Sequence, residues 1–138
     1  FLQIKNRSKN VPGDKEDLFL VLKNLLENAI RYGGKKCEVI ISLRQAETRP
    51  ANLPKNSWPA VCIEVSDNGP GIDKIHLGRL TERFYRVDTS RSKEIGGTGL
   101  GLAIVKHIVN RHRGCLVIDS EPSIGSKFSV YLKENNPK

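Results

Sequence analysis

The run Gly96-Gly97-Thr98-Gly99-Leu100-Gly101 constrains this chain more than any other feature, because it empties directly into an apolar-periodic stretch, Leu102 to His112. A glycine strap leading into a helix leaves free backbone N–H groups and the positive end of the helix dipole facing one point, which attracts an anion. Phosphate binding is the natural reading. The spacing is not that of a Walker loop, since no Gly-Lys-Ser/Thr follows. Nor is it a dinucleotide GxGxxG, since Ile104 stands where the last glycine would fall when counted from Gly99. The periodicity predicts a helix over Leu102–His112 with Ile104, Val105, Ile108 and Val109 inward and Gly114 closing it.

A second long helix is written upstream. The Pro12-Gly13 turn delivers the chain to Asp14, an N-cap residue with Asp17 in the capping-box position. Leu18, Leu22, Leu25 and Ala29 then recur at helical spacing, and Val21 and Leu26 widen the stripe. The helix runs from Lys15 to Tyr32 and ends at Gly33-Gly34, because glycine reaches the left-handed conformation without steric cost.

Glu38 to Leu43 and Val61 to Ser66 are β-rich runs that predict a hairpin. The prolines and asparagines between Gln45 and Pro59 predict a solvent-exposed loop, with Trp58 covering the sheet edge. From Asp67 to Gly101 the chain is rich in glycine and charge, with one short helical stretch near Lys74 to Leu80; loops this long inside a compact domain are functional ones. Leu116 to Ser120 and Lys127 to Leu132 form a second strand pair around the Pro122 to Gly125 turn, and the polar tail from Glu134 to Lys138 is expected to fray.

The 138 residues are about one domain's length, so the expectation is a single domain over 1–138 without internal repeats. With 38% hydrophobic and 28% charged residues the composition is that of a globular protein rather than a disordered one, and no long uncharged run could span a membrane. Phe1 to Lys5 lacks the layout of a secretion signal, so the chain looks like a piece of something longer. Cys37, Cys62 and Cys115 are far apart and set in apolar stretches, which predicts buried, reduced thiols in a reducing cytoplasm rather than a zinc site. The net charge of +8 suits nucleic acid, a triphosphate or an acidic partner. Its spread along the chain, with only 6% aromatics, argues against nucleic acid.

Two polar features sit oddly for a plain core. Asn24, Asn28 and Arg31 share one face of the first helix at i, i+4 and i+7. They form either a solvated stripe or a site where an amide oxygen meets Mg²⁺ and Arg31 meets phosphate. Asp67 ends a strand with the parity of Val61, Ile63 and Val65, placing a carboxylate on a buried face, where it needs donors. The following Asn68-Gly69-Pro70-Gly71 is either a simple turn or a place where a flat ligand such as adenine approaches backbone.

Taken in order, these elements resemble the boxes of bacterial sensor histidine kinases. Asn24 to Ala29 is similar to the N box, Asp67 to Gly71 to the G1 box, and Arg83-Phe84-Tyr85-Arg86 to the F box. Gly97 to Leu102 is similar to the G2 box, and Gly125 to Phe128 to a G3 box with serine where threonine is commoner. The resemblance covers Gly13 to Leu132. Arg79 to Asp88, with Leu80-Thr81 in place of the usual Ile-Phe, and Gly101 to His107 look most like the phosphate-regulon sensor kinases.

The resemblance implies an α/β (α+β) two-layer sandwich of the Bergerat type, a mixed sheet covered on one face by helices, shared with gyrase, MutL and the heat-shock chaperone of ninety kilodaltons. It implies ATP and Mg²⁺ as ligands. Asn28 would ligate Mg²⁺, Asn24 and Arg31 would approach the phosphates, and Tyr32 would line the pocket. Asp67 would hold the adenine amine, with Gly69, Gly71, Ile72, Phe84, Gly97, Thr98, Gly99, Leu100, Gly101, Leu102 and Ser126 also at the nucleotide. Val87 to Gly97 would form a lid carrying Arg91 toward the γ-phosphate. ATPases of this superfamily carry a glutamate base at the position of Asn24, and an amide cannot replace it. Glu27, one residue before Asn28, is rotated roughly 100° from that residue's direction. Phosphate is therefore expected to await a histidine acceptor. His76, His107 and His112 lie in the wrong contexts, so the acceptor belongs to another domain of a parent kinase. The parent would be a membrane-anchored homodimer that passes phosphate to a response regulator. This part would be cytoplasmic and monomeric, touching neither membrane nor nucleic acid. An anti-sigma-type serine kinase on the same fold, and a basic nucleic-acid-binding module, are the competing readings.

Overall fold

The computed structural model describes residues 2–6, 13–34, 36–87 and 99–134. In chain order it has β1 Leu2–Asn6, α1 Lys15–Gly33, β2 Val39–Gln45, a single 3-10 turn Lys55–Ser57, β3 Ala60–Asp67, α2 Lys74–Leu77, α3 Gly101–Arg111, β4 Cys115–Glu121 and β5 Gly125–Lys133. The strands join as one five-stranded sheet in the order β1-β2-β3-β5-β4. The β1–β2 pair is parallel and the other pairs are antiparallel, which makes the sheet mixed as expected. Residues 2–6, for which the sequence predicts no element, form the edge strand. Their pairing with β2 spans the whole of α1, a non-local contact that no local pattern announces.

Alternation along the strands separates two cores. Val39, Val65, Phe128, Val130 and Leu132 face α1 and α3, meeting Val21, Leu25 and Ala29 of the first helix and Val105, Ile108 and Val109 of the second. The buried stripe of α1 is centred on Val21–Leu25–Ala29, with Leu18 and Leu22 half-buried at its margins. Ile104 is not inward: it is 37% exposed and borders the cavity described below.

The opposite face is not left to solvent. Ala46, Leu53, Ala60, Cys62 and Cys115 make a second cluster with Trp58, Val117 and Tyr131 packed on it. Most of residues 45–59 are exposed, as expected of a surface loop, but Ala46, Leu53 and Ser57 are buried and anchor it to this face. Leu53 is 1% exposed. The segment is tied down by Ala46 N–H to the Ala60 carbonyl (2.9 Å), Arg49 Nη1 to the Leu53 carbonyl (2.6 Å) and the Ser57 hydroxyl to the Arg113 carbonyl (2.7 Å). Its prolines shape a folded cover, which polarity averaged over a loop does not reveal. Glu134 is likewise buried rather than frayed, its N–H donating to Pro59 and its carboxylate accepting from Gln45.

The helix ends depart from expectation in chemistry more than in position. Asp14 caps α1 by accepting from Glu16 and Asp17 N–H, but no capping box closes. Asp17 is engaged with Arg111 (3.6 Å), and the Asp14 N–H donates instead to His112 Nε2 (3.2 Å). His112 Nδ1 lies 2.8 Å from the Ile108 carbonyl, so the ring carries its proton there and ties the start of α1 to the end of α3. At that end the left-handed residue is Arg113 (φ 55°), not Gly114. Arg113 N–H bonds Asn110 (3.0 Å) and Gly114 N–H bonds Val109 (2.9 Å), which is a Schellman closure. Gly114 is glycine for another reason: a Cβ there would stand 2.2 Å from the Tyr131 carbonyl oxygen.

Candidate functional site

Between α1, α3 and the strand ends lies a cavity of about 550 Å³, within the range of small-molecule sites. One wall is the polar stripe of α1: Asn24, Asn28, Arg31 and Tyr32 all line it. Asn24 Nδ2 donates to the Leu20 carbonyl (2.9 Å), and this turns its Oδ1 toward Gly101, where a Cβ would sit 3.0 Å away. Leu100, Gly101 and Leu102 thus bring the first turn of α3 against the asparagine face. At the far end of α1 the backbone of Gly33 packs on Gly69, leaving only 2.7 Å for a Cβ. Nine residues of helix, about 13 Å, separate these two contacts.

Asp67 lies beyond the Gly33–Gly69 contact. Its carboxylate accepts from Gly69 N–H (2.9 Å) and from the N–H of Ser126, its partner across β5. Burial raises its pKa above the ordinary carboxylate range, and the two N–H groups oppose that rise without cancelling it. Gly125 allows the strands to close here, because a Cβ would meet the Asp67 carbonyl oxygen at 2.0 Å. Gly71, at φ +73°, passes under the Glu121 carbonyl, and Ser123 N–H donates to the Pro70 carbonyl (2.7 Å). The loop after Asp67 is therefore clamped by the β4–β5 hairpin. Gly71, Ile72, Asp67 and Ser126 line the cavity.

Two expected site residues stand elsewhere. Gly69 is buried behind Asp67 as its hydrogen-bond donor, and the Phe84 ring is 70% exposed, turned out by a left-handed backbone (φ 65°). Gly99 does line the cavity, whereas Arg91, Gly97, Thr98 and most of the expected lid fall outside the described residues.

The structure adds residues that the sequence reading passed over. Glu27 lines the cavity despite its rotation of roughly 100° from Asn28, because the wall is wider than one helical row. Tyr85 and Arg86 line it too, Tyr85 held by His76 Nδ1 at its hydroxyl and by the Arg79 guanidinium 4.5 Å above its ring centre. Their place within the F-box motif was the available signal. Ile104 and Phe128 supply apolar wall. The site can hold a planar apolar group beside an acceptor carboxylate, with Arg31, Arg86 and the amides of α3 placed for anionic oxygens.

A mixed sheet under two helices, with a cleft that joins a half-buried strand-end acid to an amide stripe and a helix N-terminus, defines a nucleotide-binding class of protein. The comparisons agree: residues 13–136 match the model of the histidine kinase-, DNA gyrase B-, and HSP90-like ATPase family, and the chain belongs to that family. It is 44% identical over 120 residues to the phosphate regulon sensor protein PhoR of Pseudomonas aeruginosa, covering 87% of this chain and 25% of that protein. It is 42% identical over 124 residues to the sensor-like histidine kinase SenX3 of Mycolicibacterium smegmatis, covering 90% of this chain and 29% of that protein. The structure of the mycobacterial sensor histidine kinase MprB superposes with a TM-score of 0.80 at 28% identity, over 99% of this chain and 84% of that one. The chain thus spans about a quarter of the length of the curated relatives it matches. Among the described residues no helix is long and apolar enough to cross a membrane.

Proposed function

We propose that residues 1–138 are one ATP-binding domain of a sensor histidine kinase, which holds Mg·ATP and presents its γ-phosphate to a histidine on a separate phosphoacceptor domain. The observation that carries this reading is Asp67. It is a half-buried carboxylate kept in place by two N–H groups and turned toward the cavity, where a purine amine would be its complement. Ile72, Ile104 and Phe128 suit the faces of the base. Back along α1 from Gly33, from about 3 Å at Arg31 to about 13 Å at Asn24, the Asn24, Asn28 and Arg31 face and the first turn of α3 suit a short phosphate chain.

The donors present fit magnesium. Asn28 offers a hard amide oxygen, and among the described residues no group of His, Cys, Asp and Glu side chains could hold a metal unaided. An ion held here would share its coordination with phosphate oxygens, as Mg²⁺ commonly does. Bound Mg·ATP supplies the transferable phosphoryl group. Arg31 and Arg86 balance charge on its oxygens, Asp67 sets the orientation of the base, and Asn24 offers no base to a water molecule. An amide rather than a carboxylate at the position of Asn24 favours transfer over hydrolysis, and phosphate would then pass from the acceptor histidine to a response regulator. The most similar relatives described above are sensor kinases, which favours this reading over a serine kinase or a nucleic-acid module.

Calorimetry of the chain with Mg·ADP tests the site, and Asn28→Ala and Asp67→Asn should each abolish the signal. With labelled ATP, stable phosphohistidine should appear on an added phosphoacceptor domain of the parent and not on His76, His107 or His112. Labelling of this chain alone would refute the transfer scheme.

A further inference from the structure

Beside Asp67, across the sheet, lies a pair of hydroxyl groups of which the nucleotide reading uses only Ser126. Ser120, on β4, sits opposite Ser126 on β5. Its Oγ accepts from Ile72 N–H (2.7 Å), donates to the Gly125 carbonyl (3.0 Å) and lies 2.7 Å from Ser126 Oγ. A serine hydroxyl has one proton and two lone pairs. The amide of Ile72 can only donate and the carbonyl of Gly125 can only accept, so every group is satisfied when the Ser120 proton goes to Gly125. In that arrangement the contact between the two hydroxyls is made with the proton of Ser126, which points back at Ser120.

Ser126 is 7% exposed and borders the cavity. With its proton held behind it, the atom shows the cavity lone pairs alone, beside a carboxylate that is also an acceptor. We infer that Ser120 is a specificity-determining positioning residue: by fixing the direction of the Ser126 hydroxyl it makes the Asp67–Ser126 edge of the cavity an all-acceptor wall. Such a wall takes a 6-amino purine and rejects a 6-oxo purine. The inference rests on the nucleotide reading above and adds to it the residue that sets the polarity of the pocket. A 6-oxo group would face two acceptors there, whereas an amino group has a hydrogen for each. Ser120 does this without touching the ligand; it is absent from the cavity wall.

Inosine diphosphate is the matched probe, because it differs from ADP by the oxo group and the proton at the adjacent ring nitrogen. Titration calorimetry with Mg·ADP and Mg·IDP would be run on the wild-type chain, Ser120→Ala and Ser120→Thr. Wild type should prefer ADP. In Ser120→Ala the Ser126 hydroxyl is free to turn and donate, so the ADP-over-IDP ratio should fall about tenfold, the worth of one uncharged hydrogen bond, mainly through tighter IDP binding. Ser120→Thr should restore the wild-type ratio. Ser126→Ala should lower the ratio as well, and adding Ser120→Ala to it should change nothing further, since both act through one hydroxyl. Should Ser120→Ala fail to fold, Ser120→Cys fills the same volume with a weak hydrogen-bonding thiol and takes the same measurement. A purely structural role would weaken both nucleotides equally. An unchanged ratio in Ser120→Ala, beside a wild type that prefers ADP, overturns the role of Ser120 alone. A wild type that binds neither nucleotide overturns it together with the reading of the cavity.

Discussion

Phe84 and Gly99, fifteen positions apart, are joined by a backbone hydrogen bond of 2.9 Å from the N–H of Phe84 to the Gly99 carbonyl. The fit is tight: a Cβ on Gly99 would stand 2.8 Å from Phe84 Cα, and both residues hold positive φ, 65° and 74°. The clasp brings the segment after α2 to the start of α3 at the mouth of the cavity, so Tyr85, Arg86 and Leu100 meet there.

Gly99→Ala therefore meets both a left-handed backbone and a collision, and should lower stability by about 2 kcal/mol or more. Gly78→Ala is the control, because a Cβ there meets nothing within 4 Å and its φ is −69°. That variant should stay within about 0.5 kcal/mol of wild type. Urea unfolding of the two variants checks the contrast; equal losses would mean the clasp does not hold.

Asp67→Asn should separate stability from binding. Because burial raises the folded-state pKa, the unfolded chain gives up this proton at lower pH than the folded one does. Stability then falls as pH rises from the ordinary carboxylate value through the raised one, and the loss is constant above it. Asparagine carries no such loss. Without nucleotide its melting temperature at pH 7 should equal or exceed that of wild type, while the rise produced by Mg·ADP, about 2.7 kcal/mol at a hundredfold excess over Kd, disappears. A variant much less stable than wild type before any nucleotide is added would contradict this account of the buried acid.

The end of α3 offers a pair of opposite effects. Arg113→Gly relieves a left-handed arginine and should stabilise by about 0.5–1 kcal/mol. Gly114→Ala forces a methyl group to 2.2 Å from the Tyr131 carbonyl and should destabilise by about 2 kcal/mol or more. Thermal unfolding reads both, and the expectation fails if the signs agree.

Leu53→Ala should cost about 2–4 kcal/mol, the range for a leucine with no collapse available, because Leu53 is sealed under the sheet's second face. Cys115 shares that cluster and its thiol is pushed up to about 11, chiefly by burial. It should resist iodoacetamide at pH 8 in the folded wild type and react readily in urea. A cost near zero for Leu53→Ala, as for an exposed position, would mean that Leu53 is not held in the second cluster.

The amino-acid order alone settled the elements with strong local signals. Two helices came from their apolar period, four strands from their alternation, and much of the cavity wall from the boxes of polar residues and glycines between and within them. These are properties of neighbours along the chain, where a side chain's direction follows from helical or strand geometry. The tertiary structure decided whatever depends on two distant segments meeting. It paired β1 with β2, folded residues 45–59 onto the second face, turned Phe84 outward, and brought Glu27, Tyr85 and Arg86 to the cavity. It also assigned the bonds at Asp17, His112 and Ser120 to partners far away in sequence or across a strand. Hydrogen bonding and close packing are settled by the nearest atom in space, and only the completed fold says which atom that is.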